Sequence, residues 1–221
     1  MQFNEAQIQA IQHNTGPCMV IAGPGSGKTT VLTHRVRYLI ERYGVNPSDI
    51  LVITFTKAAA EQMKLKFKGL SEGRNSAVTF GTFHAVFFTI LKAAYNYSAH
   101  CIIKPQIQHE FVKDQMCRLE LEYDDENEAV AGVLSEISCV KGEDVNIDEY
   151  ESRCIPPQSF RIMYRAYDDM LVRKHLIDFD DMIVQCRELL MQREDYRRAW
   201  QNKYKYILCL LYTSDAADDR I

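Results

Sequence analysis

A glycine-rich segment near the amino terminus constrains the fold more than any other feature of this chain. It reads Ala22-Gly23-Pro24-Gly25-Ser26-Gly27-Lys28-Thr29, and it lies between the apolar run 18–21 and an amphipathic stretch. A strand, a glycine-rich loop and a helix that begins at Gly-Lys-Thr form the Walker A pattern. Glycines let successive backbone N–H groups surround phosphate oxygens, and the helix directs its positive dipole end toward the same anion. The segment therefore predicts a nucleotide phosphate site.

Two side chains of this loop have expected roles in nucleotide binding. Lys28 is expected to reach the β- and γ-phosphates, and the Thr29 hydroxyl to bind Mg²⁺. Ala22 stands where a glycine is usual, a departure that the loop should tolerate. A chance glycine-rich turn is the alternative. The motif alone leaves kinase, GTPase, transporter ATPase and helicase open.

The order of apolar and amphipathic stretches predicts the architecture. Apolar runs at 18–21, 50–53 and 78–80 are typical of buried strands, and helical periodicity is expected from 28 to 42 and from 57 to 69. Strands that alternate with helices indicate a parallel, doubly wound sheet. The predicted fold class is α/β, a P-loop NTPase parallel sheet with an inserted all-helical subdomain.

The same pattern divides the chain. We expect residues 1–90 to form the first part of the phosphate-loop domain and 91–177 the helical insertion. Residues 178–208 should return to the first domain, with a strand at 204–208, and 209–221 form a separate tail.

Composition excludes several classes of protein. The 26 basic and 30 acidic residues give a net charge of −4, which excludes a generally basic nucleic-acid coat but not a local basic groove. The longest apolar run, 206–212, is far shorter than the ~20 residues that cross a bilayer, so no membrane association is expected. Seven scattered cysteines without a Cys-x-x-Cys pair predict reduced thiols in the cytoplasm, and neither disulfides nor a zinc site.

Four further segments identify a family. They lie in order at 3–7, 51–63, 79–84 and 178–181. Together with the phosphate loop, they resemble the UvrD/Rep family of superfamily 1 DNA helicases over nearly all of residues 1–208. The resemblance implies an ATP-dependent DNA helicase, an ATP hydrolase that translocates 3′ to 5′ on single strands. It also implies ATP and Mg²⁺ as cofactors, and single-stranded DNA or a single-strand/duplex junction as partner, while protein partners stay unknown.

The resemblance also implies roles for individual residues. Gln7 matches the glutamine whose amide pairs with the adenine edge, although a helix-capping glutamine is the alternative. Thr30 stands beside the expected adenine, where many relatives carry an arginine, so base stacking is less certain here. The residues that match DNA-contacting segments of the family are Phe55, Thr56, Lys57, Thr82, Phe83 and His84.

Structural alternatives stay open at several of these positions. Phe55 and Phe83 could be buried core residues instead of base-stacking groups, and His84 could cap a helix. The segment 178–181 resembles a metal-binding strand end, but a buried strand does not precede it. An N-cap of the helix that follows is the better interpretation.

The end of the chain departs from the family. In the family, the strand that matches 204–208 ends in two acids, one that holds Mg²⁺ and one that activates water. Here Cys209-Leu210-Leu211-Tyr212 follows, and 209–218 looks like translated sequencing adapter. We therefore expect an amino-terminal fragment that binds ATP and hydrolyses it negligibly. The alternatives are a divergent carboxyl terminus, a single-stranded nucleic-acid binding module without motor activity, and a P-loop kinase acting on a small metabolite.

Overall fold

A three-stranded parallel sheet organises the part of the chain that carries the glycine-rich loop. The computed structural model describes residues 2–71, 77–143 and 145–211. The strands β1 (Ile50–Thr54), β2 (Thr79–Thr82) and β3 (Tyr206–Leu210) lie in the order β2-β1-β3. Thr54 of β1 pairs with Thr82 on one side and with Leu210 on the other. Because both pairings are parallel, the carboxyl ends of the three strands meet at one edge of the sheet.

Helices make up most of the remaining described chain. They are α1 (Glu5–Gln12), α2 (Lys28–Tyr43), α3 (Lys57–Leu70), α4 (Phe83–Tyr95), α5 (Pro105–Arg118), α6 (Glu126–Glu143), α7 (Pro157–Arg173), α8 (Phe179–Gln192) and α9 (Glu194–Lys203). Single turns of 3-10 helix lie at Pro47–Asp49 and Ala99–Cys101. The strands predicted at 50–53 and 78–80, and the helices predicted from 28 and from 57, are confirmed.

The chain forms two compact units, and the division falls inside α4. The first unit takes in the described residues up to Val86 and those from Glu194 onward, and the second is Phe87–Arg193. In the first unit, apolar side chains of α2, α3, β1, β3 and the residue before β2 share one core, which consists of Val36, Leu39, Ile50, Val52, Met63, Phe67, Val78, Leu208 and Leu210. The second unit is helical. The predicted fold class is confirmed.

The helical unit has its own core, built where α5, α6 and α7 pack together. Its largest fully buried side chains include Tyr167 and Phe160 of α7 and Met116 of α5. The segment before α8 also joins this unit, because the Ile177 backbone N–H donates to the Cys101 carbonyl at 2.7 Å. The unit extends through α8 to Arg193, whereas the sequence predicted a return to the first domain at residue 178.

The prediction of a strand at 18–21 is wrong. This segment has no regular secondary structure, and Met19 and Ile21 are 85% and 88% exposed. A strand needs a neighbour that supplies hydrogen bonds, and within the described ranges no strand pairs with this segment. A groove of about 380 Å³ lies between Gly16-Pro17 and the edge strand β3. An apolar run predicts burial only where a partner strand adjoins it.

The expected separate tail falls mostly outside the described residues, which end at Leu211. Its first residues belong to the sheet, because Cys209 pairs with Ile53 and Leu210 with Thr54. The Thr54 hydroxyl also donates to the Leu210 carbonyl oxygen at 3.1 Å, and both residues are buried.

Candidate functional site

The glycine-rich loop reaches α2 through two left-handed backbone positions. Gly25 has a φ of 71°, and Gly27, the residue that precedes α2, has a φ of 81°. An L-residue in this conformation costs about 1–2 kcal/mol, so glycine is the natural choice at both positions. The Ser26 N–H donates to the Gly23 carbonyl at 3.4 Å. These turns bring the loop to the amino terminus of α2, the end at which the helix dipole favours an anion.

Two polar side chains of the loop are arranged for an anionic ligand. Lys28 Nζ donates to the carbonyl oxygens of Ala22 at 3.2 Å and Gly23 at 3.0 Å, so its charge lies beside the start of the loop. The Ser26 hydroxyl oxygen is buried and has no hydrogen-bond partner in the described part of the chain. A buried hydroxyl without a partner is unfavourable until something binds it. The loop therefore fits a phosphate group, which would accept from both side chains.

Gln7 contacts this loop and caps α1 at the same time. Its Nε2 donates to the Ser26 carbonyl at 3.1 Å, and its Oε1 accepts from the Asn4 N–H at 3.0 Å. The Asn4 side chain in turn accepts from the Gln7 N–H at 2.9 Å, which completes a capping box. The helix-capping alternative for this glutamine is therefore observed, and the same side chain also contacts the phosphate loop.

Thr29 and Thr30 lie in the first turn of α2, directly after Lys28. The Thr30 carbonyl oxygen lies 2.9 Å from His34 Nδ1, and the His34 ring lies edge-on to Phe3 at 4.8 Å between centroids. Thr30 therefore stands where the first turn of α2 approaches the segment that begins α1.

Arg35 is a residue of this site that the sequence did not single out. Its Nη1 donates to the carbonyl oxygens of Ala10 at 3.1 Å, of Ile11 at 3.5 Å, and of His13. These carbonyls belong to the carboxyl-terminal end of α1 and the residue after it. Burial lowers the pKa of the Arg35 guanidinium from its usual value. Arginine in an amphipathic helix is normally surface charge, so no local signal indicated this contact.

The first expected DNA-contacting segment follows β1. Phe55 is 70% exposed, so it is not a core residue. The Thr56 hydroxyl accepts from the Ala59 N–H at 3.2 Å and caps α3. The Lys57 side chain is 88% exposed and lies 3.9 Å from the Glu61 carboxylate. An exposed aromatic ring and an exposed ammonium group thus follow β1 at the edge of the sheet.

The second expected segment follows β2 at the same edge. Because Thr54 pairs with Thr82, the residues that follow each strand begin level with one another. The Thr82 hydroxyl accepts from the Ala85 N–H at 3.2 Å and so caps α4. Phe83 and His84 form the first residues of α4, and both are half-buried. The parallel sheet therefore brings together two segments that lie far apart in sequence.

In the described ranges, no group of three or more histidine, cysteine, aspartate or glutamate side chains is arranged to hold a metal ion. Among the described helices, none combines the length and apolar character that a membrane crossing requires.

Comparison with known proteins agrees with the motifs. The UvrD/REP helicase N-terminal domain family model matches residues 3–209. The ATP-dependent DNA helicase Rep of Escherichia coli is 33% identical over 216 residues, which cover 94% of this chain and 32% of that protein. The ATP-dependent DNA helicase PcrA of Staphylococcus epidermidis is 30% identical, over 93% of this chain and 29% of its own length. The chain thus spans about a third of the length of these relatives, and it belongs to the UvrD/REP helicase N-terminal domain family.

Proposed function

We propose that this chain is the ATP-binding part of a DNA helicase that translocates 3′ to 5′ on single-stranded DNA. The observation that carries the proposal is the register of the sheet. Thr54 pairs with Thr82, so the two segments expected to contact DNA leave neighbouring parallel strands at one edge. The phosphate loop and the two segments expected to contact DNA belong to the same compact unit, which supports nucleotide binding and DNA binding by one body.

Different residues at the loop are expected to contact different parts of ATP. Lys28 Nζ would exchange the carbonyl oxygens of Ala22 and Gly23 for β- and γ-phosphate oxygens, and the Ser26 hydroxyl would gain a partner. The backbone N–H groups of 23–29 would surround the same phosphates. Each charge-assisted hydrogen bond contributes about 1.5–3 kcal/mol, so several suffice for micromolar binding. Gln7 would select adenine, because a carboxamide offers both the donor and the acceptor that the adenine edge requires.

The DNA would lie across the carboxyl edge of β1 and β2. The exposed Phe55 ring suits base stacking, which contributes about 1–3 kcal/mol per base without regard to sequence. Lys57 and the hydroxyls of Thr56 and Thr82 suit phosphates, and Phe83 and His84 would complete the contact. The expected ligand is single-stranded DNA or a single-strand/duplex junction, and the expected location is the cytoplasm, where such substrates and reduced thiols occur.

Hydrolysis is a separate matter from binding. The Thr29 hydroxyl is the expected protein ligand of the Mg²⁺ that accompanies ATP. However, Cys209 and Leu210 at the end of β3 and Leu211 directly after it supply no carboxylate. A carboxylate is needed to orient the metal and to activate the attacking water. We therefore expect ATP binding with negligible turnover by this chain.

Binding and turnover assays on the purified chain test the proposal. We expect micromolar binding of magnesium-ATP, abolished by Lys28→Ala, and no ATPase activity above background with or without single-stranded DNA. Lys92→Ala, which removes an exposed lysine from the last turn of α4, is the matched control and should leave ATP affinity unchanged. Wild-type affinity in Lys28→Ala would refute the phosphate site, and robust DNA-stimulated turnover would refute the account of hydrolysis.

A nucleic-acid binding module without motor activity is the second candidate. It is favoured for this chain taken alone because the last described residues, 209–211, include no carboxylate. Salt-dependent binding of single-stranded DNA that is the same with and without ATP would support this alternative. A change in DNA affinity on addition of ATP would instead support a coupled motor.

A further inference from the structure

We infer that Arg35 is a positioning residue for nucleotide selection, because it fixes the end of α1 and thereby holds Gln7 against the phosphate loop. The inference rests on the proposed ATP site. It adds a residue to that site which contacts neither the loop nor the expected nucleotide. The juxtaposition of Arg35 with three carbonyl oxygens at the end of α1 carries it.

Helix α1 does not have enough buried surface to fix its own position. It has only eight residues, and Ile11 is the buried residue among them. Isolated helices shorter than about 12–15 residues are marginal in water. The position of α1 must therefore be set by polar contacts at its ends.

The polar contacts at the carboxyl end of α1 come from α2. Arg35 donates to the Ala10, Ile11 and His13 carbonyl oxygens, and the Tyr43 hydroxyl donates to the Gln12 carbonyl oxygen at 2.9 Å. The last carbonyl groups of a helix lack intrahelical partners and carry partial negative charge. A guanidinium group is the side chain that best satisfies several of them at once.

The contact at the other end of α1 is Gln7. Its Nε2 donates to the Ser26 carbonyl within the phosphate loop, 3.1 Å away, and a Cβ at Gly27 would lie 3.7 Å from the same nitrogen. Helix α2 begins at the end of this loop and also carries Arg35. One helix therefore presents the phosphate site at its first residue and anchors the base-reading helix seven residues later.

This arrangement has a consequence for selectivity. If Arg35 is removed, three carbonyl contacts at the end of α1 are lost, and Gln7 is held mainly by its own capping box and the Ser26 contact. The phosphate loop keeps its glycines and Lys28. Binding of the triphosphate should therefore survive, whereas discrimination between adenine and guanine should fall.

The experiment compares three ligands on the whole chain, namely ATP, GTP and inorganic tripolyphosphate, by calorimetric titration with Mg²⁺ present. We expect Arg35→Gln to reduce the ratio of ATP to GTP affinity about fivefold, which matches the loss of about one neutral hydrogen bond to the base. Tripolyphosphate affinity should stay within twofold of wild type. Arg35→Lys, which keeps a charged donor, should retain at least half of the wild-type ratio.

Four further variants separate positioning from a general effect on folding. Arg37→Gln removes an arginine from the same helix that pairs only with the exposed Glu41 in the described ion pairs, and its ratio should equal that of wild type. Gln7→Ala should reduce the ratio as much as Arg35→Gln does, and the double variant should lose no more, because both changes act through one side chain. Tyr43→Phe removes a single hydroxyl and tests the same anchor without a charge change.

The outcomes are distinct. A wild-type ratio in Arg35→Gln would overturn the inference, and so would an equal loss of affinity for all three ligands, since that pattern indicates a structural role alone. Failure of the wild-type chain to bind either ATP or tripolyphosphate would instead overturn the proposed ATP site and the inference with it.

Discussion

Lys141 Nζ lies 3.0 Å from Asp178 Oδ2, and each of these side chains is only 4% exposed. The same ammonium group contacts Asp181 at 2.8 Å and Asp168 at 3.0 Å. Burial disfavours the charged form of Lys141, but the three carboxylates outweigh that effect and raise its pKa. The helical unit is therefore held together at this point by a buried ionic cluster that joins α6 to α7 and α8.

Removal of the lysine should destabilise the helical unit strongly. Lys141→Met leaves buried carboxylates without a counter-charge, and we expect the free energy of unfolding to fall by about 3–5 kcal/mol. Urea denaturation monitored by circular dichroism measures the free energy of unfolding. The control is Arg165→Gln, which breaks the ion pair between Arg165 and Asp148. These two side chains are 59% and 63% exposed. The control should therefore change the free energy of unfolding by less than about 1 kcal/mol. Equal losses in the two variants would contradict the prediction.

The same cluster predicts a pH dependence of stability. Burial and the neighbouring Asp178 carboxylate raise the pKa of Asp181 to about 6. A carboxyl group with a higher pKa in the folded than in the unfolded state stabilises the fold when protonated. Its contribution is complete below about pH 4 and is lost as the pH rises through about 6. Between pH 7 and pH 5, wild type should gain about 1 kcal/mol relative to Asp181→Asn. Parallel pH profiles of the two proteins would contradict this assignment.

Local signals predicted the features that depend on neighbouring residues. The glycine pattern predicted the loop, and Asp178 was predicted as a helix cap, which it is, since its side chain accepts from the Asp181 N–H at 2.7 Å. Both features are decided within a few residues, where propensity and hydrogen bonding act together.

Contacts between distant segments could not be predicted in this way. The sequence gives no sign that Lys141 meets Asp178, 37 residues later, or that Arg35 reaches back to the end of α1. The apolar run 18–21 fails for a related reason, because a strand depends on a partner that the run itself does not specify. The contacts and the secondary structure at such positions depend on residues that are distant in the sequence. The local pattern does not show which residues these are.

The exposed ring of Phe55 should contribute to DNA binding but little to stability. Replacement by alanine removes a stacking surface of about 1–3 kcal/mol, so affinity for an oligothymidine should fall about 5- to 150-fold. Fluorescence anisotropy at a fixed salt concentration measures this affinity. Leu65→Ala is the control, because Leu65 is 69% exposed on α3 and should leave DNA affinity unchanged. Equal affinities of Phe55→Ala and wild type would exclude base stacking at this position.

The contribution of the Lys57 charge to DNA binding can be tested separately from that of the Phe55 ring. Lys57→Ala should weaken binding of different single-stranded sequences equally, since phosphates carry no sequence information. It should also reduce the slope of log affinity against log salt by about 0.7, the value expected for one phosphate contact on a single strand. A sequence-dependent loss, or an unchanged salt slope, would show that Lys57 does not contact phosphate.

The glycine that precedes α2 offers the sharpest test of the loop geometry. Gly27 has a φ of 81°, so Gly27→Ala must either adopt a left-handed backbone at a cost of about 1–2 kcal/mol or rearrange the loop. Either response moves the N–H groups away from the arrangement that fits phosphate, and we expect ATP affinity to fall about tenfold. Gly69→Ala is the matched control, because Gly69 lies within α3, has open space around its Cα and an ordinary helical backbone. That change should raise the free energy of unfolding by up to about 1 kcal/mol and leave ATP affinity unchanged. If Gly27→Ala binds ATP as tightly as Gly69→Ala does, the left-handed turn is not required for phosphate binding.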